Sequence, residues 1–378
     1  MINFNQAAGS FPKAPGAAEA VCTFLKEGAF NVERGEGVHA VSDLVFETRQ
    51  MLADFFGHDV PKHVIFTSGV TAALNMFIFG WLQAGDHVIC TEMEHNAVLR
   101  PLHAAMSGGV RHDIAKADEQ GFVDPARIEA LITPATRAVI VTAASNVSGT
   151  LMPLAEIGRL CRAKGLKLVV DSAQTAGSEQ IDMKSLGIDA LCFTGHKGLL
   201  APQGIGGLIM QDEIAAEIRP FVYGGTGSQS HLPTMPSRLP DRLEAGTLNL
   251  PGIAGLFAAL TYINETGLSQ LAGIKRDLTA QFLRGVTELH GVRIIGPADP
   301  ERQVAVVSLD FLEKDNGLVA AALAEQGILT RSGLHCAPNA HRALDTFPAG
   351  TVRFSFGSFN TPDEVDRTLE VLCSLTEA

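Results

Sequence analysis

The stretch LKLVVDSAQTAG, residues 166–177, decides the fold class. LKLVV is apolar without alternation, as a strand buried on both faces reads. It ends abruptly at Asp171 in small polar residues. Four other runs repeat the design: HVIFTSG (63–69), HVICTE (87–92), AVIVTAA (138–144) and ALCFTG (190–195). Helix-like segments lie among them, including TAALNMFIFGWLQAG (71–85), PARIEALI (125–132) and PLAEIGRLCRAKG (153–165). Such alternation predicts an α/β fold with a mostly parallel sheet. Ligands bind beyond the carboxyl ends of such strands. Polar residues gather there: Thr67, Ser68, Glu94, His95, Asn146, Asp171, Gln174, His196 and Lys197.

After about residue 250 the character changes. Residues 253–291 read as two helices broken near Gly267, followed by strand-like VRIIGP, QVAVVSLDF, ILTRSGLHC and TVRFSFGSFN, with a helix over 316–327. This predicts a large α/β domain over 16–254 and a smaller α+β domain built from 1–15 and 255–378. A long Gly/Pro/Ser-rich loop spans 223–247, a length that usually carries function or disorder.

The net charge of −12, with no basic patch, speaks against a nucleic-acid or anionic-membrane partner. The longest apolar stretch, MFIFGWL (76–82), falls short of the roughly 18–20 residues that span a bilayer. MINFNQAAG has neither a basic nor an apolar leader segment, so no signal peptide is expected. The six cysteines include no CxxC pair, which argues against a zinc ribbon or a disulfide scaffold and for reduced thiols in the cytoplasm.

Lys197, in FTGHKG (193–198), follows a buried strand and precedes the Gly-rich GLLAPQGIGGL. A lone loop lysine is ordinarily a solvated one. At a sheet's binding edge a desolvated lysine can form a Schiff base. Asp171 reads either as a helix cap or as the partner of a protonated ring nitrogen. Lysine and aspartate together are what a pyridoxal phosphate enzyme needs. TSGVTAALN (67–75) offers a strand end, a glycine turn and a helix start where an anion would sit. His95, just past another strand end, could be structural, a ring-stacking acid/base, or a metal ligand with Glu94, although no HExxH spacing accompanies it.

The chain resembles the class V aminotransferase group of fold-type I pyridoxal phosphate enzymes, and within it the cysteine desulfurase and selenocysteine lyase family. The resemblance runs in order through NQAAG (5–9), TSGVTAALN, TEMEHNAV (91–98), SNVSGT (145–150), DSAQ (171–174), TGHKG with APQGIGGL (194–208), EAGTLN (244–249), RSGLHCA (331–337) and RFSFGSFNTPDEVD (353–366). It implies that Lys197 holds pyridoxal 5'-phosphate and moves the substrate's Cα proton. Asp171 would pair with the ring nitrogen, and His95 would stack on the ring as acid/base. Gln174 and Asn146 would bond the phenolic oxygen or position substrate. Val70, Thr71, Thr194 and His196 would hold the phosphate, joined by Thr247 from a neighbouring subunit of a homodimer. Arg353, with Asn146 and Ala8, would receive L-cysteine or L-selenocysteine, Arg353 clamping the carboxylate. The family's usual Asn-Asn-Ala-Ala start is here NQAAG, and the loop after Tyr223 also departs from its pattern.

Cys336, in RSGLHCAP (331–338), has three readings: a core thiol, a metal ligand with His335 and His341, or a nucleophile. Two or three ligands in one loop are too few for a closed zinc site, so no metal is expected. The resemblance implies the nucleophile. Cys336 would attack the substrate sulfur, become a persulfide, release alanine and pass sulfur to an acceptor protein or small thiol. A selenocysteine lyase, or a class V transaminase or epimerase in which Cys336 is incidental, are the alternatives.

Overall fold

The computed structural model describes residues 1–27 and 38–377. Its strands are β1 (Ile2–Asn3), β2 (Val64–Thr67), β3 (His87–Thr91), β4 (Arg111–Ala115), β5 (Thr136–Thr142), β6 (Lys167–Asp171), β7 (Ala190–Thr194), β8 (Gly206–Met210), β9 (Val292–Ile295), β10 (Val306–Phe311), β11 (Ile328–Leu329), β12 (Arg331–Gly333) and β13 (Thr351–Ser355). Seven of them form the large sheet in the order β2-β8-β7-β6-β5-β3-β4. β8 runs antiparallel to both its neighbours, and the remaining pairings are parallel.

The unbroken apolar runs are explained by burial on both faces. Along β5, Val139 and Val141 enter one core while Ala138 and Ile140 enter the other. Helices Val70–Trp81 and Asn96–Ala105 cover one face through residues such as Phe77 and Leu102. Helices Leu154–Lys164 and Leu250–Thr266 cover the opposite face through residues such as Ile157 and Leu260. Each layer removes a strand's side chains from water, the main stabilising term in such a sandwich.

Two strands of the large sheet were not anticipated from sequence. β4 is a polar edge strand, half exposed, so it lacks the buried-strand signature. β8 begins at the end of the Gly-rich stretch GLLAPQGIGGL (198–208) and continues to Met210. Gly206 is needed there for close packing: a Cβ would fall 2.5 Å from the Phe193 carbonyl oxygen and 2.6 Å from Gly69 Cα. β8 therefore presses against the start of helix Val70–Trp81.

The second sheet is antiparallel, in the order β12-β13-β10-β9, and helices Leu268–Val286 and Pro362–Glu377 back it. The helical break falls at Gly267, as the sequence suggests. Ile2 and Phe4 join this core, and β1 pairs with β11. Ser308 donates to the Val147 carbonyl at 2.6 Å, tying this sheet to the loop after β5. The 223–247 loop is anchored by Glu244, which meets Arg49 with both oxygens at 2.9 and 2.5 Å and accepts the Phe66 N–H at 2.6 Å.

Candidate active site

A cavity of about 230 Å³ opens where the carboxyl ends of the large sheet meet β12 and β13. Its walls bring together Ala8, Val70, Thr71, His95, Asn146, Asp171, Gln174, His196, Lys197 and Arg353, residues scattered through the whole chain. Thr194 lies just beneath, its hydroxyl 2.9 Å from His196 Nδ1. Thr247 does not reach this cavity; it lines two others beside Glu244 and Leu248.

Lys197 follows β7 in the turn that carries the Thr194–His196 contact. Burial drives its amine down to about 8; Asp171 opposes the shift, and Arg353 and Arg331 add to it. A good fraction of the amine is thus neutral and nucleophilic near physiological pH. Asp171 ends β6 and is 2 % exposed. Burial lifts its carboxyl, while the Ala173 N–H at 2.9 Å and the Lys197 charge restrain it. Lys197 and Asp171 both line the cavity without closing to an ion pair, which leaves the carboxylate available to another buried cation.

His95 caps helix Asn96–Ala105. Its Nδ1 accepts the Ala97 N–H at 3.0 Å, so the proton of the neutral ring sits on Nε2. Burial, then Lys197 and the nearby arginines, lower its pKa to about 4. His95 is therefore an uncharged donor at neutral pH. The neighbouring Glu94 is fully buried, and burial raises its pKa to about 8. It is a neutral acid joining two strand ends, accepting from Thr91 Oγ1 at 2.6 Å and Thr142 N at 2.9 Å.

Helix Val70–Trp81 begins at Gly69 with no side-chain cap. Gly69 has φ +147°, and a Cβ there would approach Thr194 Oγ1 to 3.2 Å. The first backbone N–H groups of this helix are thus free to face an anion.

The Cys336 turn lies over this arrangement. His335 and Cys336 both adopt left-handed backbone conformations, with φ of +48° and +61°. Two bonds fix the turn: Asn146 Nδ2 donates to the His335 carbonyl at 2.8 Å, and the Asn96 N–H donates to the Cys336 carbonyl at 2.8 Å. The His335 ring points inward, 3.1 Å from Thr351 Oγ1, and burial lowers its pKa to about 2. The Cys336 side chain is exposed. His335 is engaged elsewhere and does not serve as the cysteine's base. The consecutive left-handed turn directs one side chain inward and the other out.

Arg353, on β13, is 1 % exposed. Nη1 donates to the Asn146 carbonyl at 2.9 Å, Nη2 reaches Asn5 Oδ1 at 3.4 Å, and Nε has no partner. Sequence reasoning missed Arg331. It lies directly opposite Arg353 in the β12–β13 register, lines the same cavity, and places Nη2 3.8 Å from Cys336 Sγ. Two guanidiniums opposed on neighbouring strands repel. Burial and then Arg331 lower the Arg353 pKa to about 9. An anion between them would relieve the repulsion. Only strand pairing brings Arg331 to Arg353, so no local motif could have revealed the pair.

Comparisons with known proteins identify the family. The family model described as aminotransferase class-V matches residues 3–368. A probable cysteine desulfurase of Methanothermobacter thermautotrophicus is 32% identical over 376 residues, covering 97% of this chain and 92% of that protein. The cysteine desulfurase of Serratia proteamaculans is 32% identical over 378 residues, covering 97% of this chain and 91% of its own. Among solved structures, the apo cysteine desulfurase of Thermococcus onnurineus NA1 superposes with a TM-score of 0.92 at 30% identity, covering all of this chain and 94% of that one. The cysteine desulfurase CsdA of Escherichia coli gives 0.89 at 27% identity, covering 99% and 94%. The fold is thus that of the fold-type I pyridoxal phosphate enzymes, and the chain belongs to the class-V aminotransferase family.

Proposed function

We propose that the protein is a pyridoxal phosphate-dependent cysteine desulfurase, converting L-cysteine to L-alanine and carrying the sulfur as a persulfide on Cys336. One observation carries this reading. The exposed Cys336 sulfur sits 3.8 Å from an Arg331 guanidinium that also lines the cavity of Lys197, Asp171 and His95.

The cavity suits the cofactor. Lys197 supplies a buried amine of lowered pKa, Asp171 a buried carboxyl in need of a cation, and the uncapped helix start at Val70 and Thr71 an anion cradle with Thr194 and His196. When bound, pyridoxal phosphate supplies the electron sink that lets the substrate's Cα–H and Cβ–S bonds break. Asp171 would hold the ring-nitrogen proton, and Gln174 and Asn146 would orient ring and substrate. Arg353, with Arg331 opposite, would take the substrate carboxylate, Ala8 leaving room beside it. Lys197 would remove the Cα proton. The Cys336 thiolate would attack the substrate sulfur: an S–S bond forms, Cβ–S breaks, and its electron pair ends as a C–H bond of alanine. His95 Nε2–H would be the proton donor for that step.

Thr247 lies in a different wall, so a second copy of the chain would deliver it to the phosphate in a homodimer. The persulfide would pass to an acceptor protein or small thiol. The free cysteines suit a reducing cytoplasm. The large domain would span 16–254, and the small one 1–15 with 255–378.

Product analysis tests the reading. Purified protein with cofactor, L-cysteine and a reductant should yield alanine and sulfide in equal amounts, and Cys336→Ala should abolish both. Selenide release from selenocysteine that survives Cys336→Ala, without sulfide from cysteine, would make it a selenocysteine lyase. Amino transfer to a keto acid without sulfide would overturn both readings.

A further inference from the structure

Two smaller cavities continue from the site. The first, about 50 Å³, shares Ala7, Gln174 and Lys197 with the main cavity. The second, about 110 Å³, shares Ser178, Lys275 and Ala305 with the first. It is bounded by Arg276 and Glu301, an exposed ion pair at 3.1 Å. The three make a line from Lys197 to the surface of helix Leu268–Val286. No residue of the Cys336 turn lines either small cavity.

Polar groups form both partitions. Between the main cavity and the first stands Gln174, whose Nε2 makes only a long 3.4 Å contact with the Ala7 carbonyl. Between the first and second stands Lys275. Its Nζ donates to Ser178 Oγ at 2.7 Å and the Gly177 carbonyl at 2.9 Å, which leaves its third hydrogen unassigned. Lys275 is 8 % exposed, and among the described residues it forms no ion pair. Glu179, Arg276 and Glu301 are the charged groups that share its outer cavity. An amine buried this way is costly unless water or a counter-charge meets it. A water occupies about 30 Å³ of liquid and needs two to four polar partners, so cavities of this size and lining have room and partners for a few waters. Burial also lowers the Lys275 pKa to about 8, so the amine both takes and gives protons near neutrality.

We propose that this line of cavities is a water-filled passage for protons, with Lys275 as its relay, connecting Lys197 to bulk solvent while the substrate and the Cys336 turn close the main cavity. The proposal rests on Lys197 taking the Cα proton, as in the function proposed above. Lys275 acts through Lys197 and touches no substrate.

Isotope content provides the test. The reaction is run in D2O with ordinary L-cysteine, and deuterium at Cα of the alanine is read by mass spectrometry and NMR. With the passage open, Lys197 exchanges with solvent between proton transfers and the Cα position is fully deuterated. In Lys275→Met the abstracted proton is retained and returned. About one third of the alanine or more then keeps protium, because Lys197 scrambles three equivalent N–H positions and a primary isotope effect favours protium return. KM for cysteine should not change. Ser178→Ala, a milder change at the same partition, should shift the isotope content in the same direction. Full deuteration in both variants would overturn the proposal. A high-resolution crystal structure gives a readout independent of turnover: ordered waters linking Gln174 to Lys275 are expected, and dry cavities would overturn the passage. If no alanine forms at all, the desulfurase reading fails, and the crystal structure still decides whether the passage exists.

Discussion

Arg353→Lys isolates how the cavity recognises its substrate. In the wild type one Arg353 donor is committed to the Asn146 carbonyl at 2.9 Å, and Arg331 stands opposite with its charge unrelieved. A carboxylate received by Arg353 would gain charge-assisted hydrogen bonds worth about 1.5–3 kcal/mol each. Lysine keeps the charge but loses the planar fork, so one such bond is lost: about 2 kcal/mol, or roughly 30-fold in kcat/KM. Arg353→Ala loses both and orphans the Asn146 carbonyl, for about 4–5 kcal/mol, or roughly a thousandfold or more. The assay is alanine formation against cysteine concentration, with the loss expected mainly in KM for the lysine variant. Cysteamine, which lacks the carboxylate, is the control: its affinity should change by less than about twofold in Arg353→Lys. A kcat/KM for cysteine within about threefold of wild type would refute the role of Arg353. Equal losses for cysteine and cysteamine would refute carboxylate recognition and leave Arg353 as a support for Asn146.

Three further outcomes follow from the same geometry. Glu94 titrates at about 8 in the fold against 4.5 ordinarily, so its favourable neutral form is fully present below pH 4.5 and stability is lost as pH rises through 8. Glu94→Gln keeps the acceptor for Thr91 and Thr142, and its stability advantage in denaturant unfolding should grow between pH 5 and 8.5; a difference independent of pH would refute the neutral acid. His58, His95, His196, His335 and His341 are held neutral with pKa values lowered to about 4, 4, 4, 2 and 4. Their contribution is complete above the ordinary 6.5 and lost as pH falls toward 4, so on acid unfolding in that window these histidines should take up about five protons against the one that Glu94 releases, about four net; a net uptake of about one or none would contradict it. Arg331→Gln removes the guanidinium 3.8 Å from Cys336 Sγ and should slow alkylation of that side chain, read by peptide mass mapping as a lower modified fraction at a fixed time; an unchanged rate would contradict the contact.

The legible parts of this molecule were those encoded locally. LKLVVDS announced a strand buried on both faces, and Val169 and Val170 do enter opposite cores. Asp171, His95 and Lys197 could be located at strand ends because a parallel sheet places its ligands there. The break at Gly267 was visible as an interruption of helical pattern. What escaped depends on pairing between distant segments. Arg331 meets Arg353 only through the β12–β13 register, and Glu94 becomes a neutral acid only between β3 and β5. β8 was masked by the Gly-rich stretch it begins in, where Gly206 is required by contact with Phe193 and Gly69. The rigidity of the Cys336 turn was equally hidden, since it comes from Asn96 and Asn146 of the other sheet's loops.

The central claim is that sulfur leaves cysteine and arrives on Cys336. Its most direct measurement is intact-peptide mass spectrometry of the protein after a single turnover with L-cysteine and cofactor, without reductant. The account predicts that the peptide carrying Cys336 gains one reducible sulfur atom for each alanine released, and that peptides carrying the other cysteines gain none. Alanine released with Cys336 unmodified, or sulfur found on another cysteine in the Cys336→Ala variant at the wild-type rate, would contradict it.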